Sequence, residues 1–330
     1  MKALKIIAVI TGIIIALFLI IPIFLANQVI ISEQVVIQSK PVTIFNQVST
    51  MNNWKNWSPF HKADTAMISE YSGPERGVGS TMTWQSKSMG DGQLVIAECE
   101  PYTRIKNDIT FRPDEGGAIG EWTFEKMDDG VHVTWTTTIP DLKYPMGRYM
   151  GLMSEMMMKP FMLAGLNDLK TICEAMPVAP EIEIVDVEAV PSLSIMDSTT
   201  VDGIGEMLGR NYGQLMDFMK AKKIEMAGIP YAVYYNWDPN GMIRIRAAIP
   251  IANKAKGKGN VEYFELPAGK TIMAKHFGGY DTSTTHEAIE QYIKDFNLEC
   301  TDYIWEVYVT DPVTEPDESK WETDIYYPLK

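Results

Sequence analysis

The chain of 330 residues has room for two domains, and its 46% hydrophobic and 22% charged content is that of a folded protein. With 43 acidic against 29 basic residues its net charge is −14, which opposes a nucleic-acid backbone, and no basic stripe or helix-turn-helix pattern offsets it, so no nucleic-acid partner is expected. Cys99, Cys173 and Cys300 are widely separated, and His61, His132, His276 and His286 are scattered without metal-ligand spacing, so neither a disulfide framework nor a metal or other cofactor is signalled.

Lys2 and Lys5 precede an uncharged apolar run over residues 6–26, close to the ~20 residues a helix needs to cross a bilayer. Glu33 is the first charge after the run and Lys40 the first positive one, so the positive-inside rule puts the N-terminus in the cytoplasm and the remainder on the extracytoplasmic side. The competing reading is a cleaved secretory signal, whose apolar core is usually ~7–15 residues and ends in a small-x-small site. The run is longer than that, and Phe24-Leu25-Ala26 is a poor site. Residues 1–32 are read as a single-pass anchor that meets the membrane through residues 6–26.

Beyond Glu33 the pattern changes to short elements. Residues 34–39 read as a strand, and Pro41 opens an amphipathic helix to Met51, Pro being tolerated in a first turn. A tight segment holds Trp54, Trp57, Ser58 and Pro59. Alternating runs at 66–71, 79–85, 93–100, 104–111, 120–126 and 131–139 are separated by turns such as Gly73-Pro74, Gly90-Asp91-Gly92, Gly116-Gly117 and Asp128-Asp129-Gly130, which predicts one antiparallel meander. A long helix over 145–175 follows, with a disturbance expected at Pro160.

This order resembles the START-like (SRPBCC, polyketide cyclase-like) superfamily over residues 33–176. The resemblance is carried by Pro41-Val42-Thr43-Ile44-Phe45, the Trp54 to Pro59 segment, Gly77-Val78-Gly79-Ser80, Gly120-Glu121-Trp122-Thr123-Phe124 and the terminal helix. It implies a helix-grip fold, an antiparallel sheet curved around its last helix, with an apolar ligand cavity between them. On that helix Met150, Met153, Met157 and Leu163 share a face at helical spacing. They are expected to pack as core against the sheet; an adaptable wall for an apolar ligand is the functional alternative.

Met176-Pro177-Val178-Ala179-Pro180 holds the short linker, residues 177–180, and residues 181–330 form a second domain with a weak internal repeat. The first unit has a strand at 182–194 interrupted near Pro191, a helix at 203–224, and strands at 232–238 and 243–249. The second has extended segments at 261–265 and 271–277, a helix at 284–296, and strands at 303–310 and 323–327. Superposing Asp238-Pro239 on Asp311-Pro312 puts Val233 opposite Glu306 and Tyr235 opposite Tyr308; Ala248-Ile249-Pro250-Ile251 parallels Tyr326-Tyr327-Pro328-Leu329. Two such strand-helix-strand-strand units predict a pseudo-twofold α+β domain with a groove where they meet.

The same residues resemble the GyrI-like small-molecule-binding domain, also the effector domain of some bacterial transcription activators. The motifs are Gly228-Ile229-Pro230 with Tyr234-Tyr235, Leu266-Pro267-Ala268-Gly269, His276-Phe277-Gly278-Gly279-Tyr280 and Trp305-Glu306-Val307-Tyr308. The resemblance implies a central pocket lined by aromatic residues and a glutamate at Glu306, binding cationic or planar aromatic compounds. In some relatives that glutamate is hydrolytic. The family usually has Gly-Pro-Tyr where this chain has Gly278-Gly279-Tyr280.

On a strand, Glu306 and Tyr308 share one face while Trp305, Val307 and Val309 take the other. The candidate ligand-binding set is Glu306, Tyr308, Tyr235, Tyr280 and Trp305, with Trp305 of opposite parity to the carboxylate. The expected function is binding of a hydrophobic or cationic aromatic compound. The alternatives are a hydrolase with Glu306 as general base, and a regulator or toxin antagonist. No GxSxG, HExxH or strand-borne GxGxxG gives catalysis an independent signature.

Overall fold

The computed structural model describes residues 2–111, 116–310 and 314–330. The chain divides into two compact units, Met1–Ala179 and Pro180–Lys330.

The first unit opens with helix α1 (Lys2–Ile20), continued by a 3-10 turn over Ile21–Ile23. The 20 residues Leu4–Ile23 are long and apolar enough to cross a membrane. There follow β1 (Val29–Ile37), α2 (Pro41–Ser49), the short helices α3 (Trp54–Trp57) and α4 (Pro59–Ala63), then β2 (Ile68–Ser72), β3 (Thr81–Gln85), β4 (Gly92–Glu100), β5 (Arg104–Phe111), β6 (Gly117–Met127), β7 (Gly130–Ile139) and α5 (Met146–Ala175). Strand β1 begins inside the stretch read as anchor, because Val29 and Ile31 are needed to pair with Ile139 and Thr137 of β7. The seven strands form one antiparallel sheet in the order β1-β7-β6-β5-β4-β3-β2. The expected meander is this sheet, with β1 added beside its last strand.

Strict alternation sets the inner face. Ala118, Trp122 and Phe124 of β6 and Val131, Val133 and Trp135 of β7 are buried, and their neighbours point away. Trp122 and Trp135 stack with centroids 4.5 Å apart, and Trp57 meets them edge-on at 5.5 and 6.4 Å. The indole N–H groups of Trp54 and Trp57 donate to the carbonyls of Val48 and Gln47, which ties α3 to the end of α2. These tryptophan rings belong to the core cluster that also holds Met162, Leu166 and Leu169 of α5.

Helix α5 runs unbroken through Pro160, which is exposed and removes one donor from the helical ladder there. Its buried face is Met162, Leu166, Leu169 and Cys173, with Gly165 set close against Pro59. Met150, Met153, Met157 and Leu163 are exposed instead, which corrects the expected core stripe. Leu166 lies nine residues beyond Met157, about 180° round the helix. Period alone identifies a shared face and leaves open which way it points.

The second unit contains β8 (Ile182–Val187), β9 (Val190–Thr199), α6 (Ile204–Lys222), β10 (Tyr231–Tyr234), β11 (Ile243–Pro250), β12 (Glu262–Leu266), β13 (Gly269–Phe277), α7 (Ser283–Asp295), β14 (Ile304–Tyr308) and β15 (Glu322–Pro328). The strand order β12-β9-β11-β10-β14-β15-β13-β8 reads as two four-strand halves related about the β10·β14 pair. The break expected near Pro191 falls just before β9, and Pro191 sits at its start, where a missing donor is tolerated. The repeat is visible in hydrogen bonds. Ala227 N–H donates to the Pro250 carbonyl as Thr301 N–H donates to that of Pro328, and Met226 bridges Ile251 as Cys300 bridges Leu329.

Candidate functional site

Strands β10 and β14 pair with Ala232 opposite Glu306, Val233 opposite Trp305 and Tyr234 opposite Ile304. Directly paired residues share a sheet face. Glu306 therefore shares its face with Ala232, Tyr234 and Tyr308, whereas Trp305 shares the other with Val233. The sheet's two faces bury different clusters: Ala232 and Tyr234, with Ile304 and Tyr308, pack towards α6, and Val233, Trp305 and Tyr235 pack with Tyr231 and Leu266.

Two of the candidate residues thus lie away from the carboxylate. Trp305 is buried on the reverse face, stacked on Tyr326 at 5.0 Å. Tyr235 points to the same reverse side, its ring covered by the Arg244 guanidinium at 5.0 Å and its hydroxyl accepting from Arg246 Nε. The residue on the Glu306 side is Tyr234. The reason is one residue of turn length: β10 ends four residues before Asp238, and β14 ends three before Asp311 in the sequence. Superposing the Asp-Pro pairs shifts the repeat by one position, and in a strand a one-residue slip exchanges the faces. The structural equivalents are Tyr234 with Tyr308 and Ala232 with Glu306. Asp311 and Pro312 themselves lie outside the described residues.

On the Glu306 face, the sheet, α6 and α7 bound a cavity of about 1400 Å³. Glu306 is only 6% exposed, and three donors hold it. The Thr282 hydroxyl and His286 Nε2–H donate to Oε1 at 3.1 and 3.0 Å, and the Tyr308 hydroxyl donates to Oε2 at 3.2 Å. The Tyr234 and Tyr308 hydroxyls meet at 2.9 Å, and His286 Nδ1 lies 2.8 Å from the Tyr327 hydroxyl. The carboxylate is thereby fixed in one rotamer, and the polar chain runs from β10 through β14 and α7 to β15.

The phenols around it stay protonated across the physiological range. Burial first, then the neighbouring Tyr234 and Glu306, pushes the Tyr308 hydroxyl well above its ordinary value. Burial and Glu306 do the same to Tyr234, and burial raises Tyr212 and Tyr327. They act as neutral hydrogen-bonding and π-face groups. The Tyr212 hydroxyl is enclosed and has no hydrogen-bond partner among the described residues, and Tyr212 lines the cavity.

Tyr280 also lines the cavity, edge-on to Tyr308 at 6.0 Å and against Trp321 at 5.2 Å. Its loop is held by His276, whose Nε2–H donates to the Gly279 carbonyl and whose Nδ1 accepts from Thr285. A Cβ at position 279 would stand 2.1 Å from Glu318 Oε1, so the side chain missing at Gly279 leaves room for that carboxylate.

The described lining residues include five carboxylates, Asp281, Glu287, Glu290, Asp302 and Glu306, and neither Lys nor Arg. The aromatic members are Tyr212, Tyr234, Trp237, Tyr280, Tyr303, Tyr308 and Tyr327. Thr282, His286, Tyr212, Tyr234 and Tyr327 were absent from the sequence-derived set. A signal for two of them existed: Thr282, His286, Glu290 and Ile293 recur at spacings of four, four and three, one face of α7.

Comparison with known proteins bears on both units. The family model described as "Polyketide cyclase / dehydrase and lipid transport" matches residues 28–174, and that described as "GyrI-like small molecule binding domain" matches residues 180–330. No curated protein sequence matches the chain. Among solved structures, the EcmrR C-terminal domain is similar with 16% identity and a TM-score of 0.42, over 46% of this chain and 98% of its own. CV1439 from Chromobacterium violaceum is similar with 17% identity and a TM-score of 0.32, over 46% and 99%. A hydrolase encoded by lin2189 from Listeria innocua is similar with 12% identity and a TM-score of 0.36, over 46% and 93%. The chain thus joins a polyketide cyclase-like domain to a GyrI-like small-molecule-binding domain, in that order, behind one apolar N-terminal helix.

Proposed function

We propose that the second unit binds a cationic or planar aromatic small molecule in the cavity above Glu306. The carrying observation is the lining: five carboxylates, seven aromatic rings and no Lys or Arg among the described residues. A delocalised cation gains from the π-faces and from the fixed carboxylate together, and an anion meets no Lys or Arg side chain among the described lining residues. Glu306 with Tyr308 and Tyr280 forms the recognition set, joined by Tyr234 and Tyr212. Trp305 and Tyr235 serve the sheet behind. Equilibrium dialysis of the full-length protein with a cationic acridinium dye and its uncharged acridone analogue tests this. The cation is expected to bind the tighter by tenfold or more, roughly the ~1.4 kcal/mol step that one favourable charge contact supplies; equal affinities would refute charge recognition.

A hydrolytic reading uses the same carboxylate as a general base towards water. What favours it is His286, which touches Glu306 directly. It predicts that bound compound is recovered chemically changed from the wild type and unchanged from Glu306→Gln.

The apolar helix supports a further reading of place: α1 anchors the protein in a membrane, with residues 33–330 extracytoplasmic. Lys2 and Lys5 before the run and Glu33 after it support that orientation. Protease added to intact cells is expected to digest both units; their full protection would reverse the topology.

A further inference from the structure

The first half of α5 carries an apolar stripe that the fold does not use. Met146, Met150, Met153 and Met157 recur at spacings of four, three and four, and Met150, Met153 and Met157 are 59%, 61% and 68% exposed. The charged residues of this segment, Arg148, Glu155 and Lys159, fall on the opposite side of the helical wheel, roughly 150–200° from the stripe. Over these turns α5 carries its methionine stripe outward, with Leu152 and Met156, between the stripe and the charged side, exposed as well, the reverse of its C-terminal half, where Met162, Leu166 and Leu169 are buried.

The position of this segment says what covers it. The Tyr149 ring stacks on Phe18 at 5.3 Å, and its hydroxyl donates to the Phe18 carbonyl. Tyr144 donates to the Leu19 carbonyl, and Arg148 Nη1 donates to that of Pro22 at 2.7 Å. These carbonyls belong to the last turns of the apolar span Leu4–Ile23. Phe18 lies five residues inside its end, roughly 8 Å at helical rise. Whatever surrounds the end of α1 therefore also reaches the start of α5. Two tyrosines and an arginine at that level are residue types suited to the headgroup boundary.

We infer that residues 146–161 lie in the interface of the bilayer that holds α1, with Met146, Met150, Met153 and Met157 inserted among the upper acyl carbons. The partner is a lipid surface, and the inference rests on α1 being a membrane anchor. An unbranched thioether stripe suits so irregular a partner, and an amphipathic helix of this length lies in the interface plane without spanning it.

The test uses the full-length protein in phosphatidylcholine vesicles doped with a phospholipid bearing a diazirine on an upper acyl carbon. After photolysis, labelled peptides are mapped by mass spectrometry. Label is expected on α1 and on 146–161, with both at least roughly tenfold above the exposed loop around Met242, as insertion of an apolar face requires. Replacing Met150, Met153 and Met157 together by Glu is expected to lower labelling of 146–161 by about fivefold or more while that of α1 is unchanged. Label confined to α1 overturns the inference and leaves the anchor standing, as when a second copy or water covers the stripe. Label on neither overturns both. Undiminished labelling of the triple variant also overturns it.

Discussion

Glu306→Gln is the most informative single change. Gln keeps the size of the side chain and, through its amide oxygen, the acceptor for Thr282 and His286; only the Oε2 position facing Tyr308 becomes a donor. The Tyr308 hydroxyl also contacts that of Tyr234 and can turn to accept. Folding is therefore expected to survive, with a melting temperature within about 3 °C of wild type for a loss below ~1 kcal/mol. What changes is charge. A monocation about 5 Å from the carboxylate, at an effective dielectric of about 20, interacts by ~3 kcal/mol. Solvent access to a cavity of about 1400 Å³ and the four remaining carboxylates reduce the loss, so a 10- to 100-fold weakening is expected, roughly 1.4–2.8 kcal/mol. Isothermal calorimetry with the acridinium dye and its neutral acridone measures both affinities on both proteins. The neutral compound should change by less than about threefold, ~0.65 kcal/mol. Equal losses for the two compounds would show that Glu306 shapes the cavity without reading charge, and the reasoning from the lining would fail.

Three further outcomes follow from the same geometry. Leu166→Ala, at a position with no exposure on the sheet-facing side of α5, is expected to cost ~2–5 kcal/mol by cavity formation, read by urea unfolding monitored by hydrogen exchange of first-unit peptides, since Trp237, Trp305 and Trp321 of the second unit also fluoresce. Gly165→Ala places a Cβ 2.6 Å from Pro59 Cδ and 3.3 Å from Trp135; overpacking of ~1–3 kcal/mol is expected, and an unchanged unfolding midpoint would mean α4 yields freely. Burial pushes the Tyr231 hydroxyl, which meets Ser192 at 2.8 Å, up to about 12. Its protonated form is favoured by folding, so its stabilisation is complete below pH 10 and is lost as pH rises from 10 to 12, up to ~2.7 kcal/mol at two pH units. Urea titrations at pH 9 and pH 12 should show a steeper loss for wild type than for Tyr231→Phe; parallel losses would refute the assignment.

Much of the architecture was legible in the sequence because it rests on local rules. The apolar run before Glu33, the alternation of β6 and β7, the turn glycines and the repeated strand-helix-strand-strand order each depend on residues within one element, and each is present in the fold. The groove between two repeats followed from their order, and Glu306 stood out as a carboxylate on an apolar strand. What tertiary structure alone decided was which side of each element is inside. Periodicity placed Met150, Met153 and Met157 on one helical face but not towards the sheet; the competing face of Met162, Leu166, Leu169 and Cys173 took the core. Parity placed Glu306 with Tyr308, but the choice between Tyr234 and Tyr235 turned on a single residue of turn length that cross-strand pairing resolves. His286 was unremarkable in sequence because its partner is 20 residues away on another element; only the packing of α7 over β14 gives that histidine a carboxylate.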